Sequence, residues 1–313
     1  MKKLVTLVAP FYNEGPGTAE FFRRVQEVAL ALPAYRFEIV AVNDGSRDNT
    51  WAELLKVREA YPNVHLVDLS RNFGKEAALT AGLDRATGDA VIPIDSDLQH
   101  PPELIQEMLA HWEAGAEVVL ARRRDRQTDG PLQKLAATLF YRFHNVISNV
   151  HVPPGVGDFR LMDKRVVEAL RRLPENHRFM KGLFAWVGFR TVTVLYSPAE
   201  RAQGTSSFNL WKLWNFALEG ITSFSTAPLR IWSYLGACVS AVALVYAGLI
   251  VVKTMLHGAD VPGYASIMVG TLFLGGVQLI GIGVLGEYIG RIYNEVKRRP
   301  VYLVREEHSV DPS

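Results

Sequence analysis

The chain has 313 residues, 34 Lys and Arg against 32 Asp and Glu, a net charge of +2, and a single cysteine, Cys238. That length suits one large domain or two smaller ones. The near-neutral balance excludes a global basic field for nucleic acid. The lone cysteine excludes a disulfide framework or a Cys-rich metal site and fits a reducing compartment.

The two N-terminal lysines precede a short apolar run that reaches Pro10, which reads as a first strand rather than a signal peptide. LVTLVAP, FEIVAVND, VHLVDL, AVIPID and EVVLA read as successive buried strands. Amphipathic stretches near 18–32, 49–60, 74–86 and 102–114 read as the helices between them; SRDNTW offers a cap to the second, and HPPEL puts prolines at the start of the fourth. Strand–helix alternation predicts a mostly parallel sheet with helices on both faces, and ligands then bind at the carboxyl ends of the strands. Asp44 and the pair Asp95, Asp97 fall at such ends and can share one crevice.

The basic clusters ARRRDR (Ala121–Arg126) and VKRR (Val296–Arg299) read singly as solvated faces. Leu132–Ser148 and Phe208–Phe224 read as interfacial amphipathic helices, the second carrying two tryptophans. Ile231–Leu256 and Ala265–Ile289 are apolar runs of about 25 residues, roughly 38 Å of helix, long enough to cross a bilayer. Their connector has no Lys or Arg, whereas Arg230 and Arg291, Lys297, Arg298 and Arg299 flank the pair. The positive-inside rule puts both ends in the cytoplasm. Gly286 and Gly290 form a small-xxx-small pair that permits close helix packing. The tail after 300 reads equally as an added strand or as disorder.

The acids of DSDLQHPPE (Asp95–Glu103) stand two residues apart in an irregular turn, where hard carboxylate oxygens suit Mg²⁺ or Mn²⁺. A D-x-D alone is common turn chemistry. APFYNEG (Ala9–Gly15), VNDGSRDNT (Val42–Thr50) and LSRNFGKEAAL (Leu69–Leu79) add to it. In order and spacing these four segments resemble family 2 glycosyltransferases of the GT-A fold, within them the polyisoprenyl-phosphate glycosyltransferases.

The resemblance covers most of 4–210. It implies a Rossmann-like GT-A fold for the α/β domain over 1–207, to which the hydropathy pattern adds a juxtamembrane helix over 208–229, a two-helix transmembrane hairpin over 230–290 and a cytoplasmic tail over 291–313. It implies that Pro10, Tyr12, Glu14, Val42, Asp44 and Ser96 line the nucleotide-sugar pocket, and that Asp95, Asp97 and Gln99 hold Mg²⁺ or Mn²⁺ against the donor diphosphate. Asp158, in GVGDFRLMDKRV, is the implied catalytic residue, as a base or as an orienting group. Arg122, Lys134, Thr138, Lys181 and Arg201 are the implied acceptor-phosphate ligands. Lys134 stands where arginine is common, and Arg123 and Arg124 compete with Arg122 for its role.

The expected reaction is inverting transfer of a hexose, glucose from UDP-glucose foremost, to undecaprenyl phosphate. GDP-mannose, UDP-GlcNAc and UDP-amino-arabinose derivatives are alternative donors, and a non-catalytic nucleotide-binding scaffold is the alternative from another class. A homo-oligomer is compatible with this pattern.

Overall fold

The structure is a computed structural model and describes residues 2–123, 156–176, 178, 180–196, 227–257 and 263–309. Four strands and four helices alternate first: β1 (Lys3–Phe11), α1 (Gly15–Ala31), β2 (Tyr35–Asn43), α2 (Thr50–Ala60), β3 (Val64–Leu69), α3 (Lys75–Arg85), β4 (Ala90–Pro93) and α4 (Leu104–Glu113). β5 (Val118–Arg123), β6 (Val156–Asp163), α5 (Lys164–Arg171), α6 (Met180–Trp186) and β7 (Thr191–Tyr196) follow. Two long helices, α7 (Ala227–His257) and α8 (Tyr264–Val296), precede a last strand, β8 (Val304–His308).

One eight-stranded sheet results, in the order β7-β5-β6-β4-β1-β2-β3-β8. β1 pairs in parallel with β2 and β4, and β2 with β3, as the alternation predicts. β6 runs antiparallel between β4 and β5. The central strands are buried on both faces because helices cover both. Val5, Leu7 and Ala9 face α1, α2 and α4, with Phe11, Phe21 and Phe22 packed ring to ring beneath them. Val8, Val40 and Val42 face α3, α5 and α6. At Gly82 a Cβ would collide with Val8 Cγ1, so α3 approaches β1 as closely as glycine allows.

The tail resolves to a strand. β8 pairs antiparallel with the outer strand β3, Leu66 opposite His308. Arg85 grips Glu307 with two bonds, Nε to Oε1 at 3.0 Å and Nη2 to Oε2 at 2.8 Å. The sheet therefore takes its last strand from beyond the hairpin, the first of the two readings of the tail. An exposed β3 edge would invite pairing with other chains, and β8 covers it.

α7 and α8 contain the candidate membrane spans Ile231–Ile250 and Phe273–Val296. Their apolar side chains face outward: Val242 is 70 % and Ile282 is 62 % exposed. Helices uniformly apolar around their circumference are at home in lipid rather than water. Both helices outrun the expected spans, α8 continuing past Ile289 to Val296. The close approach within the hairpin is at Gly281, where a Cβ would overlap the Trp232 indole; Gly286 and Gly290 meet nothing within 4 Å among the described residues. At its end α8 is tied to the globular part, where the Asn176 amide donates to both oxygens of Glu295 at 3.1 Å.

Candidate active site

The carboxyl ends of β1, β2 and β4 open into a cleft of about 280 Å³. Three loops build it. Asn13, in the left-handed region at φ 55, accepts from the Arg47 amide at 2.8 Å, and its own amide donates to Ser46 Oγ at 3.0 Å. That stitches the loop after β1 to the loop after β2. Gly45 (φ 60) lies against the backbone of Arg71, where any Cβ would collide. Asp44 can then receive the third loop: its carboxylate accepts from Asn72 Nδ2, Phe73 N and Gly74 N at 3.0, 2.7 and 3.0 Å. Burial pushes its pKa up against those amides. Asp44 lines the cleft, and its bonds hold the loop that leads into α3.

Pro10, Tyr12, Glu14 and Ser96 also line the cleft, as expected. Ser96 Oγ donates to the Pro10 carbonyl at 3.0 Å, fixing the acidic turn to the end of β1. Val42 is placed differently: it is fully buried and packs on the Gly82 side of the sheet, because strand alternation turns its side chain into the core.

Asp95 and Asp97 reach the cleft from one turn. Leu98 takes φ 57, a strained value for a γ-branched residue, and reverses the chain so that Gln99 folds back on Asp97. The Gln99 amide donates to Asp97 Oδ1 at 3.1 Å and its side-chain Nε2 donates to Oδ2. Prolines 101 and 102 occupy the turn just before α4 rather than its first positions, and their carbonyls accept from Leu104 and Ile105 at 3.1 and 3.0 Å.

These residues suit a hard divalent cation. Burial, then the charges of Asp97 and Asp48, push the pKa of Glu14 up, which marks surplus negative charge in the cleft. Among the described residues no cluster of three His, Cys, Asp or Glu stands ready as a closed metal cage. An open shell completed by substrate phosphates is the normal arrangement for Mg²⁺.

On the other side of Asp95 stands Asp158, from β6. Lys75 Nζ bridges them, 2.6 Å from Asp95 Oδ1 and 2.9 Å from Asp158 Oδ2. Burial works against the ammonium, but the two carboxylates outweigh it and hold it protonated far above its ordinary range. Burial likewise pushes Asp158 up, and Lys75 and Lys181 more than reverse this, leaving it ionised. Its Oδ1 is buried without a hydrogen-bond partner among the described residues. His100 Nδ1 stands 3.6 Å from Asp95 Oδ2, its ring stacked on Phe159 at 5.0 Å. Burial lowers its pKa and keeps the imidazole neutral near pH 7.

Lys181 comes to this cluster and acts on Asp158. Arg122 stands exposed on β5, opposite Val156, and does not line the cleft. Lys134, Thr138 and Arg201, and the expected interfacial helices, lie outside the described residues.

Sequence reading missed Lys75, Glu76, His100 and Arg160. Lys75 carried a signal: a cation opening a helix opposes the dipole, so an N-terminal lysine after F-G needs another reason to be there.

The family description "Glycosyl transferase family 2" matches residues 6–171, and "GtrB C-terminal hairpin" matches 227–292. The chain is 52% identical over 308 residues to the SfII prophage-derived bactoprenol glucosyl transferase of Shigella flexneri, covering 98% of this chain and 99% of the relative. It is 51% identical to an uncharacterized glycosyltransferase of Synechocystis sp., over 96% and 95% of the two chains. A mannosyltransferase of Pyrobaculum calidifontis, solved with GDP-Man and Mn²⁺, overlays 95% of this chain and 88% of its own at a TM-score of 0.49 and 17% identity. With a matched domain that spans the cleft and Asp158, a matched hairpin behind it, and full-length relatives at half identity, the chain belongs to glycosyl transferase family 2 and is a membrane-associated glycosyltransferase.

Proposed function

We propose that the protein transfers glucose from UDP-glucose to undecaprenyl (bactoprenol) phosphate, with inversion, at the cytoplasmic face of a bacterial inner membrane. The carrying observation is Lys75 set between Asp95 and Asp158. It sets the cleft beside a buried ionised carboxylate in a domain tied to the far end of an apolar hairpin through Glu295 and β8. The names of the full-length relatives support the donor sugar and the acceptor lipid.

Asp95, Asp97 and the Gln99 side chain would hold Mg²⁺ or Mn²⁺, which supplies Lewis-acid neutralisation of the departing diphosphate. Pro10, Tyr12, Glu14, Asp44 and Ser96 would enclose the nucleotide. The acceptor phosphate, with a second pKa near 6, is largely dianionic at neutral pH. Its oxygen attacks the anomeric carbon in line; the bond to the donor's β-phosphate oxygen breaks and that oxygen keeps the electron pair. Asp158 takes any residual acceptor proton on its unpartnered Oδ1 and keeps the nucleophile oriented, so a strong base is unnecessary. Lys75 contributes a fixed positive charge between nucleophile and leaving group. Lys181, with Arg122, Lys134, Thr138 and Arg201, would attract the acceptor phosphate.

β8 supports the topology. It returns the chain to the catalytic sheet after two spans, so the catalytic domain and the tail share one side of the membrane; the flanking basic residues make that side the cytoplasm.

The test is transfer of radiolabelled sugar into organic-extractable lipid by purified protein with undecaprenyl phosphate and a panel of UDP- and GDP-sugars. Label from UDP-glucose, abolished by EDTA and by Asp95→Ala, is expected. Label from a different donor would replace glucose; none from any donor would leave the scaffold reading.

A further inference from the structure

A cavity of about 1000 Å³ lies apart from the cleft and shares no lining residue with it. It opens between the second half of α3, the connector from α5 to α6, and the turn that leads from α8 into β8. Its size is at the top of the range of small-molecule sites. Its charged groups balance: the guanidiniums of Arg178, Arg298 and Arg299 face the carboxylates of Asp84, Glu175 and Glu295.

Most of these groups are already engaged. The Tyr302 hydroxyl donates to Asp84 Oδ2 at 2.8 Å, and the Asn176 amide donates to both oxygens of Glu295. Arg178 donates from Nη2 to the Leu173 carbonyl at 2.9 Å and from Nε to the Glu175 carbonyl at 3.2 Å. Three groups are left over. Glu175 Oε2 is buried with no hydrogen-bond partner among the described residues, and the side chains of Arg298 and Arg299 have none there either. A buried acceptor without a donor is costly, so a ligand that donates to it gains.

The local backbone and the membrane fix what can reach these groups. Arg298 takes φ 48, uncommon for arginine, in a turn where its amide donates to the Glu295 carbonyl at 3.1 Å. That turn ends α8 and brings both arginines to the cavity wall. The candidate span ends at Val296, so Arg298 and Arg299 follow it directly, level with lipid headgroups. Ile289, Ile292 and Val296, each more than half exposed, offer apolar surface for acyl chains at the same end of α8.

A plain anion would answer the arginines and leave Glu175 unserved. We infer that this cavity binds the headgroup of a phospholipid that joins a phosphate to a primary ammonium, the phosphoethanolamine class. Arg298 and Arg299 take the phosphate oxygens, which suit guanidinium forks, and the ammonium donates to Glu175 Oε2. One such lipid touches α3, the α5–α6 connector and the end of α8, and so seats the globular domain on the membrane. The inference does not depend on which sugar donor or acceptor the enzyme uses.

The experiment is native mass spectrometry of the delipidated full-length protein in detergent, titrated with dioleoyl phosphatidylethanolamine, phosphatidylcholine or phosphatidylglycerol. The choline headgroup carries the same charges without an N–H, and the glycerol headgroup has no cation. Phosphatidylethanolamine is expected to bind one site about tenfold or more tighter than either, the scale of a charge-assisted hydrogen bond. Glu175→Ala should abolish that preference. Arg298→Asn with Arg299→Gln should weaken binding of all three lipids, asparagine being tolerant of the left-handed φ. The lipid-free thermal midpoint should stay that of the wild type in both variants. Equal affinity for the ethanolamine and choline lipids, tighter binding of the glycerol lipid, or a preference that survives Glu175→Ala overturns the assignment. Water-soluble phosphoethanolamine that competes at equal concentration makes this a metabolite site and overturns the lipid reading.

Discussion

Asp95 and Asp158 share one cation: Lys75 Nζ stands 2.6 Å from the first and 2.9 Å from the second. One of these acids comes from the turn after β4 and the other from β6, and the first residue of α3 joins them. A charge set between the cleft and a buried carboxylate is well placed to serve both halves of the proposed transfer. Charge fixed in advance and aimed at a reacting centre commonly contributes more to catalysis than any other single effect.

Replacing Lys75 by Met should lower kcat on the order of 10²-fold and leave UDP binding measurable by calorimetry. It should also move the acidic limb of the pH–rate profile upward. The sign follows from Asp158: burial raises its pKa, Lys75 is the largest opposing influence, and without Lys75 more acid-range pH leaves it protonated. An unshifted limb would remove Asp158 from the rate-controlling ionisation.

Glu76 should make stability pH-dependent. Burial, with the charge of Asp158 next, raises its pKa from 4.5 to about 7, against the Met180 amide and Lys181. Between those values the folded chain binds more protons than the unfolded one. The group's contribution is therefore fully present below about pH 4.5 and is lost as pH rises through about 7, worth up to about 3 kcal/mol. Glu76→Gln should flatten the dependence of the melting midpoint on pH across that window; a parallel curve would show that Glu76 is already ionised when folded.

Gln99 folds onto Asp97 through both its backbone amide and its side chain. Gln99→Ala should leave the fold intact and raise the Mn²⁺ concentration needed for half-maximal transfer by about 10- to 100-fold, the usual cost of losing a carboxylate's supporting partner. Equal metal response in the two proteins would take Gln99 out of the site.

Deleting residues 301–313 should uncover the β3 edge and release Arg85 and Asp68 from Glu307 and Arg305. The expected result is a lower melting midpoint and aggregation on size-exclusion chromatography in detergent, as unpaired edges promote. A monodisperse protein with an unaltered midpoint would show that β8 is dispensable.

Much of this protein follows from its linear order. Strands β1 to β4 are apolar runs because they are buried on both faces, and the helices between them announce themselves by periodicity and by turn residues. The acids Asp44, Asp95 and Asp97 stand at strand ends, where a parallel sheet opens its crevice, so the cleft was legible from residue order alone. The hairpin was legible too, since a bilayer imposes length and apolarity on any segment that crosses it.

Tertiary structure decided the rest, because it brings together residues whose local sequence carries no shared pattern. Lys75 lies 83 residues before Asp158 and meets it only once the folded sheet sets the start of α3 beside β6. Val42 was placed at the pocket by resemblance, and the parity of its strand turns its side chain into the core. Arg160 is one more basic residue in the chain, and only burial beside Asp158 and Phe184 makes it a feature. The tail had two readings of equal local merit; the open edge of β3, built some 240 residues earlier, chose between them. Local sequence can encode periodicity, turns and the chemistry a strand end offers, whereas the pairing of distant charges depends on packing.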